Sequence, residues 1–241
     1  MTFAIISDVH GNLESLEAVL ARIDTTERVL CLGDTVGYGP NPNECLALVR
    51  ARAAETVLGN HDVAAIDGHG LAFFNEAARS AIEWTQTILD PAHLAWLDGL
   101  SYEVRMPDFL LVHGAPVEYF TYILDKATAA RAFAATDAPL IFVGHTHVAD
   151  AYALAPSGAI EHRFFQDGGT LALEPGTRYI VNVGSVGQPR DLNPAASFVR
   201  FDDAARTVVW ERVPYPIERT QRKIADVRLP DALARRLTVG R

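Results

Sequence analysis

Two cysteines and two methionines among 241 residues leave little room for thiol chemistry. Cys31 lies in an apolar run and Cys45 in a helical pattern, so a disulfide framework is excluded and both read as reduced packing residues. No run approaches the ~20 apolar residues a membrane helix needs. The apolar start Phe3-Ala4-Ile5-Ile6 lacks the length and basic lead of a signal peptide, so a cytoplasmic location is expected. Positive charge is scarce as well: 21 Lys and Arg stand against 30 Asp and Glu, and a net charge of −9 argues against non-specific binding to a nucleic-acid duplex. The exception is Pro216 to Arg241, where seven basic residues meet three acidic ones. Solvated helix faces, a dimer contact or an anion-steering patch would each account for them. Internal repeats and linker-like tracts are missing too, and about half the residues are apolar, so one domain over 1–241 is expected.

What is present is a set of short polar turns after apolar runs. Asp8 and His10 follow Phe3-Ala4-Ile5-Ile6, Asp34 follows Val29-Leu30-Cys31-Leu32, and Asn60 and His61 follow Thr56-Val57-Leu58. His113 follows Phe109-Leu110-Leu111-Val112, and His145 and His147 follow Leu140-Ile141-Phe142-Val143. Each polar group thus stands where a buried strand ends, and in α/β sheets those ends are where distant segments converge on a ligand. Between the runs, Leu13, Leu16, Leu20 and Ile23 repeat at helical spacing behind Asn12 as cap. Asn41-Pro42-Asn43-Glu44 predicts a capped helix over Pro42 to Arg50. Further helices are expected from Phe73 to Leu89, from Pro91, and from Leu124 to Ala135, with strands near Leu140, Tyr152, Ile160, Tyr179, Ser197 and Thr207. Helices in front and strands behind imply two packed sheets flanked by helices.

Imidazole nitrogens with carboxylate oxygens suit Zn, Fe or Mn, and the lack of nearby thiolates disfavours a structural zinc knuckle. Seven candidate donors (Asp8, His10, Asp34, Asn60, His113, His145 and His147) are too many for one ion with an open position. Two divalent transition metal ions sharing one carboxylate would use them all. Such a pair clamps the oxygens of a phosphoryl group and lowers the pKa of a bridging water toward neutrality.

The ordered set Asp-x-His, Gly-Asp, Gly-Asn-His-Asp, a lone His and Gly-His-Thr-His resembles the calcineurin-like metallophosphoesterase superfamily. The stretch Asn182 to Arg190 is similar to a segment of its small bacterial members. The resemblance implies a four-layer αββα sandwich with two mixed sheets. It also implies one metal on Asp8, His10 and His147, a second on Asn60, His113 and His145, and Asp34 bridging them. His61 is then unligated, contacts substrate and serves as general acid. In the superfamily's protein phosphatases an aspartate three positions beyond the bridging one orients that histidine. Here the position is Gly37, which points away from phosphoprotein substrates.

The resemblance implies a dimetal phosphodiesterase that hydrolyses nucleotide-type phosphodiesters or phosphoanhydrides by attack of a metal-bridging hydroxide. A hydrolase of dinucleoside polyphosphates and a phosphomonoesterase are the enzymatic alternatives. A non-catalytic scaffold like the retromer subunit of this fold would lack His61. The expected partner is a small phosphoester or nucleotide, with no membrane; a homo-oligomer is compatible with the sequence. Tyr38, on the rim after the bridging aspartate, either stacks on a base or packs its loop. Arg190 either holds a phosphate oxygen or forms a surface salt bridge. Tyr119, Phe120 and Tyr122 form a second aromatic cluster with the same two readings, whereas His69, His93 and His162 read as surface or packing residues.

Overall fold

The computed structural model describes residues 1–241. The first half alternates strand and helix: β1 (Thr2–Ile6), α1 (Leu13–Leu20), β2 (Arg28–Cys31), α2 (Pro42–Arg52), β3 (Ala53–Thr56) and α3 (Asn60–Asp67), then α4 (Glu76–Ile88) and α5 (Pro91–Asp98). Strands dominate the second half: β4 (Glu103–Arg105), β5 (Leu110–Val112), α6 (Lys126–Ala134), β6 (Leu140–Val143), β7 (Ala149–Leu154), β8 (Ile160–Phe164) and β9 (Gly169–Ala172). The chain ends with β10 (Arg178–Val183), β11 (Ala196–Asp202), β12 (Thr207–Val213), α7 (Ile217–Asp226) and α8 (Asp231–Leu237).

Two six-stranded mixed sheets form, in the orders β3-β2-β1-β11-β12-β9 and β4-β5-β6-β10-β7-β8. In the first, β1, β2 and β3 run parallel and β11 adds to β1 antiparallel; in the second, β5, β6 and β10 run parallel. The sheets face each other because their strands are apolar on both sides. Phe3 and Ile5 of β1 enter the inter-sheet core with Leu30, Phe142, Val181, Phe201 and Trp210. Ala4 and Ile6 turn outward to Leu16, Val19, Cys45 and Val49 of α1 and α2. In the second sheet, Leu110, Val112, Ile141 and Val143 meet Ala129 and Phe133 of α6. Burial on both faces is what runs such as Phe-Ala-Ile-Ile encode, and each buried large aliphatic side chain contributes roughly 1.5–3 kcal/mol. The four layers expected from the sequence are therefore present.

Local chemistry alters several boundaries. The helix expected from Phe73 begins at Glu76, because Asn75 caps it by accepting the Ala78 amide (3.0 Å); Leu71–Phe73 form a separate 3-10 turn. Asn12 caps α1 as expected, through the Ser15 amide. Asn41 does not cap α2: its side-chain amide donates to Glu44 (3.0 Å) and its oxygen accepts from Lys223 (3.0 Å). Helix α3 and strand β9 lie outside the sequence expectation; β9 buries only Leu171, too little for an apolar signal. Part of the basic C-terminal charge is used internally, since Lys223 and Arg219 pair with the buried carboxylate of Glu14. No helix is long and apolar enough to cross a membrane.

Cys31 and Cys45 are free and fully buried, and burial, the main influence, pushes the Cys31 thiol up to about 12 and that of Cys45 well above its ordinary value. Thiolate is the reactive form. The folded protein is expected to resist a maleimide at pH 8 and to take up two labels in denaturant, as mass spectrometry would count; fast labelling of the native chain would contradict this packing.

Candidate metal centre

The parallel strands deliver their carboxyl ends to one place. Asp8 and His10 lie just beyond β1, Asp34 beyond β2, His113 beyond β5, and His145 and His147 beyond β6, while Asn60 and His61 open α3. Asp8, His10, Asp34, His61, His113, His145 and His147 are all buried. Their donor atoms gather in three overlapping groups, Asp8/His10/His147, His10/Asp34/His61 and Asp34/His113/His145. Asp34 Oδ2 stands 3.6 Å from His10 Nε2 and 3.3 Å from His113 Nε2, so one carboxylate oxygen faces both sides of the cluster. Asp8 Oδ1 is 3.1 Å from His147 Nε2.

Hydrogen bonds on the outside of the cluster decide which nitrogen each imidazole turns inward. With backbone carbonyls as acceptors, His10 Nδ1 donates to Val36 (3.0 Å), His113 Nδ1 to Leu32 (2.8 Å) and His147 Nδ1 to Gln188 (2.6 Å). Each then presents Nε2 to the interior. His145 is reversed: Nε2 donates to the Phe120 carbonyl (2.9 Å) and Nδ1 faces His113. A carbonyl on the outer nitrogen is the usual device for fixing a ligating imidazole.

The backbone is strained where the donors sit. Asp8, His10, Asp34, Tyr38, His145 and His147 all have positive φ, from 49° to 67°. Each such residue costs of order 1–3 kcal/mol, although Asp and His tolerate this region better than most. The turns hold because their amides are bonded across the sheet, Asp8 N to the Gly33 carbonyl (3.0 Å) and His10 N to that of Asp34 (2.9 Å). Asp62 ties the neighbouring loops, accepting the amides of Thr35 (2.9 Å), Val36 (3.2 Å) and Gly59 (3.1 Å). Burial, with the Asp34 charge beside it, pushes its carboxyl up to about 7.

The donor set fits metal cations. Burial alone would raise the Asp8 and Asp34 carboxyls, yet the surrounding imidazoles, His147 foremost for Asp8 and His113 for Asp34, hold both well below the usual carboxylate range. Burial lowers His145 to about 3 and His147 to about 4, leaving neutral rings with free lone pairs. At His113 burial is outweighed by Asp34, which brings that ring up to about 9. Asp8 Oδ1 and Asn60 Oδ1 are buried without a hydrogen-bond partner. Buried anionic and orphaned oxygens beside the free lone pairs of His145 and His147 call for cations.

Around this cluster the other named residues take different places. The His61 ring packs against Tyr38 (centroids 4.4 Å apart), Phe74 (4.6 Å) and His10 (4.7 Å). Its Nδ1 is buried and unpartnered, and burial pulls its pKa well below the ordinary value. Proximity alone groups it with His10 and Asp34. Gly37 explains the missing aspartate: its φ is +86°, and a Cβ there would collide with His61 Nδ1. Gly37→Ala is expected to cost about 1–3 kcal/mol through strain and to displace the imidazole. Thermal unfolding would read the first effect and hydrolysis the second; an unchanged Tm would refute it.

Tyr38 is only 7% exposed and belongs to a cluster with α4, α7 and α8. Arg190 pairs with no carboxylate; its guanidinium donates to the Tyr38 hydroxyl (3.1 Å) and to Gln188 Oε1 (3.1 Å). Tyr122 stacks on His145 (3.8 Å between centroids), Phe120 lies near His113, and Tyr119 stacks on Tyr102 instead. His162 is bonded to Asp150 (2.8 Å), and neither it, His69 nor His93 enters the cluster.

Two supporting residues carried no role in the sequence reading. Asn182 donates to the Gly144 carbonyl (2.7 Å) and Thr146 Oγ1 (2.9 Å), bracing the loop of His145 and His147; Ser185 Oγ donates to the Asp8 carbonyl (2.9 Å). The available signal was an asparagine inside the otherwise apolar Tyr179-Ile180-Val181-Asn182-Val183, since buried polar groups in strands need partners.

Residues 1–204 match the model of the calcineurin-like phosphoesterase superfamily domain. A crystal structure of a metallophosphoesterase from Sphaerobacter thermophilus superposes with a TM-score of 0.88 at 42% identity, covering 100% of this chain and 99% of that one. The chain is 36% identical to an uncharacterized protein of Methanocaldococcus jannaschii, over 99% of this chain and 98% of that protein. A 68-residue stretch is 37% identical to a symmetrical bis(5'-nucleosyl)-tetraphosphatase of Haemophilus influenzae, covering 26% of this chain and 25% of that enzyme.

Proposed function

Because the chain belongs to the calcineurin-like phosphoesterase superfamily, we propose that it is a dimetal phosphodiesterase acting on nucleotide-type phosphodiesters or phosphoanhydrides. The observation that carries this reading is Asp34 Oδ2, which faces both His10 and His113, with Asp8, His147 and His145 in the overlapping groups and Asn60 lining the adjoining cleft beside His145. On this reading Asp8, His10 and His147 hold one divalent transition ion, Asn60, His113 and His145 a second, and Asp34 both. Bound there, such ions activate water and offset the charge of a phosphoryl group.

The chain's own groups do the rest. Carbonyl bonds to the outer nitrogens keep His10, His113, His145 and His147 in their ligating tautomers. Arg190, with no carboxylate to neutralise it, is available to a phosphate oxygen. His61, which has no carboxylate of its own to orient it, stands against Phe74 and beside Asp34; burial favours its neutral ring, so on this reading the charge of a bound phosphate stabilises the imidazolium that hands a proton to the leaving oxygen.

Dinucleoside polyphosphates form the second reading, favoured by the stretch shared with the tetraphosphatase. A panel at saturating Mn²⁺ tests both: bis-p-nitrophenyl phosphate, p-nitrophenyl phosphate, a cyclic nucleotide, diadenosine tetraphosphate and a phosphoserine peptide. Diesters or anhydrides are expected to turn over faster than the phosphopeptide. A phosphopeptide hydrolysed best would overturn the assignment, and diadenosine tetraphosphate hydrolysed best would select the second reading.

A further inference from the structure

A cleft of about 280 Å³ opens directly beside the metal donors. Asn60, His61 and His145 form its floor, and its walls come from two remote segments, Phe73 and Phe74 ahead of α4 and Phe120 and Tyr122 beyond β5. The aromatic rings continue the site. Tyr122 lies nearly parallel on His145, with 17° between planes, and Phe74 lies against His61. At the mouth two aromatic surfaces are left in water: Phe73 is 94% exposed and Tyr122 44% exposed.

No charged side chain lines this cleft. Its free polar atoms lie on the floor, where Asn60 Oδ1 and His61 Nδ1 are unpartnered, whereas Asn75 uses its oxygen on the Ala78 amide and His145 uses Nε2 on the Phe120 carbonyl. The occupant must therefore be neutral, flat and matched to aromatic faces, and it must be joined to a phosphate that reaches the floor. Ligand pockets that bury a whole drug-sized molecule run from about 300 Å³ upward, so this one takes a single nucleoside.

We propose that the cleft seats one nucleobase of the substrate, stacked between Phe73 and the Phe120 to Tyr122 wall, with its phosphate directed to the metal donors. This rests on the phosphoesterase reading and names the part of the substrate that reading leaves open. Stacking on aromatic side chains is tolerant of base identity because every base has a π face, so the site selects for a base rather than for a particular one.

Calorimetric titration of the Mn²⁺-loaded protein with AMP, ribose 5-phosphate and octyl phosphate separates the terms. AMP is expected to bind at least about 10-fold more tightly than ribose 5-phosphate, the scale of one stacking contact. Phe73→Ala, at a side chain too exposed to be needed for folding, is expected to bring the two affinities close together, and Phe73→Tyr to restore the gap. Equal affinities in the unsubstituted protein, failure of AMP to bind, or equal weakening of both ligands by Phe73→Ala would overturn the proposal. Octyl phosphate binding more tightly than AMP would overturn it in favour of an alkyl ester. Hydrolysis of bis-p-nitrophenyl phosphate, measured alongside, keeps the two readings apart. Its absence would remove the phosphoesterase reading, whereas hydrolysis without base preference would remove only the role of the cleft.

Discussion

Asp34→Asn is expected to strip both metal ions and to lower phosphoester hydrolysis by more than about 10³-fold, since bound metals supply several kcal/mol of transition-state stabilisation. Asp34 Oδ2 faces His10 and His113 together, and its Oδ1 accepts the His61 amide (2.8 Å). Asparagine keeps the shape and tolerates the left-handed backbone at φ +53°. What it removes is the negative charge between the two sets of imidazoles, so the loss reports metal binding rather than misfolding. His147→Ala, by contrast, touches only the group that contains Asp8 and His10, and should weaken mainly one ion. Elemental analysis after dialysis checks both variants against an expected two ions per chain in the parent. Two ions retained in Asp34→Asn, or a reproducible single ion in the active parent protein, would dismiss the bridging assignment.

His61→Ala should keep both metals and slow hydrolysis by about 10²–10⁴-fold on a nucleotide diester, the usual contribution of a general acid. Its ring is held by Tyr38, Phe74 and His10 rather than by a carboxylate, because Gly37 offers none. The leaving group separates proton donation from charge stabilisation. Nitrophenolate departs without a proton and a ribose alkoxide does not, so the variant should retain far more activity on the chromogenic ester. An equal loss on both substrates, with metals retained and chemistry limiting, would leave His61 as a phosphate-binding group, since the same non-bridging oxygens are present in each.

Much of this protein was legible in its sequence because the relevant information is local. Runs such as Val29-Leu30-Cys31-Leu32 are apolar at every position, as a strand covered on both faces requires, and the first polar residue after each run marks the strand's end. That placed most of the candidate donors at strand ends before any pairing was known; the strand expected at Thr56-Val57-Leu58 is displaced, since β3 spans Ala53–Thr56, and Asn60 and His61 open α3 instead. The misses were elements whose signal is weak or overridden nearby. β9 buries one side chain, α3 follows Gly59 without an apolar stripe of its own, and Asn41 gives its amide to Glu44 instead of capping its helix.

Other features depend on atoms far apart in the chain, and only the tertiary structure decided them. Which nitrogen His10, His113, His145 and His147 turn inward is set by carbonyls of Val36, Leu32, Phe120 and Gln188, each delivered by a different segment. The left-handed turns at Asp8 and His10 are held by amide bonds to the Gly33 and Asp34 carbonyls, the His145 amide donates to Asp8 Oδ2, and Asn182, Ser185 and Asp62 brace the surrounding loops. The aromatic cleft joins residues 73 and 74 to residues 120 and 122 through the packing of helices and loops around both sheets. Residue type and position in a strand are properties of the chain alone, so the sequence determined the chemistry of the donors and where each stands. Orientation, strain and shared walls arise from contacts between segments, and these exist only once the two sheets have packed.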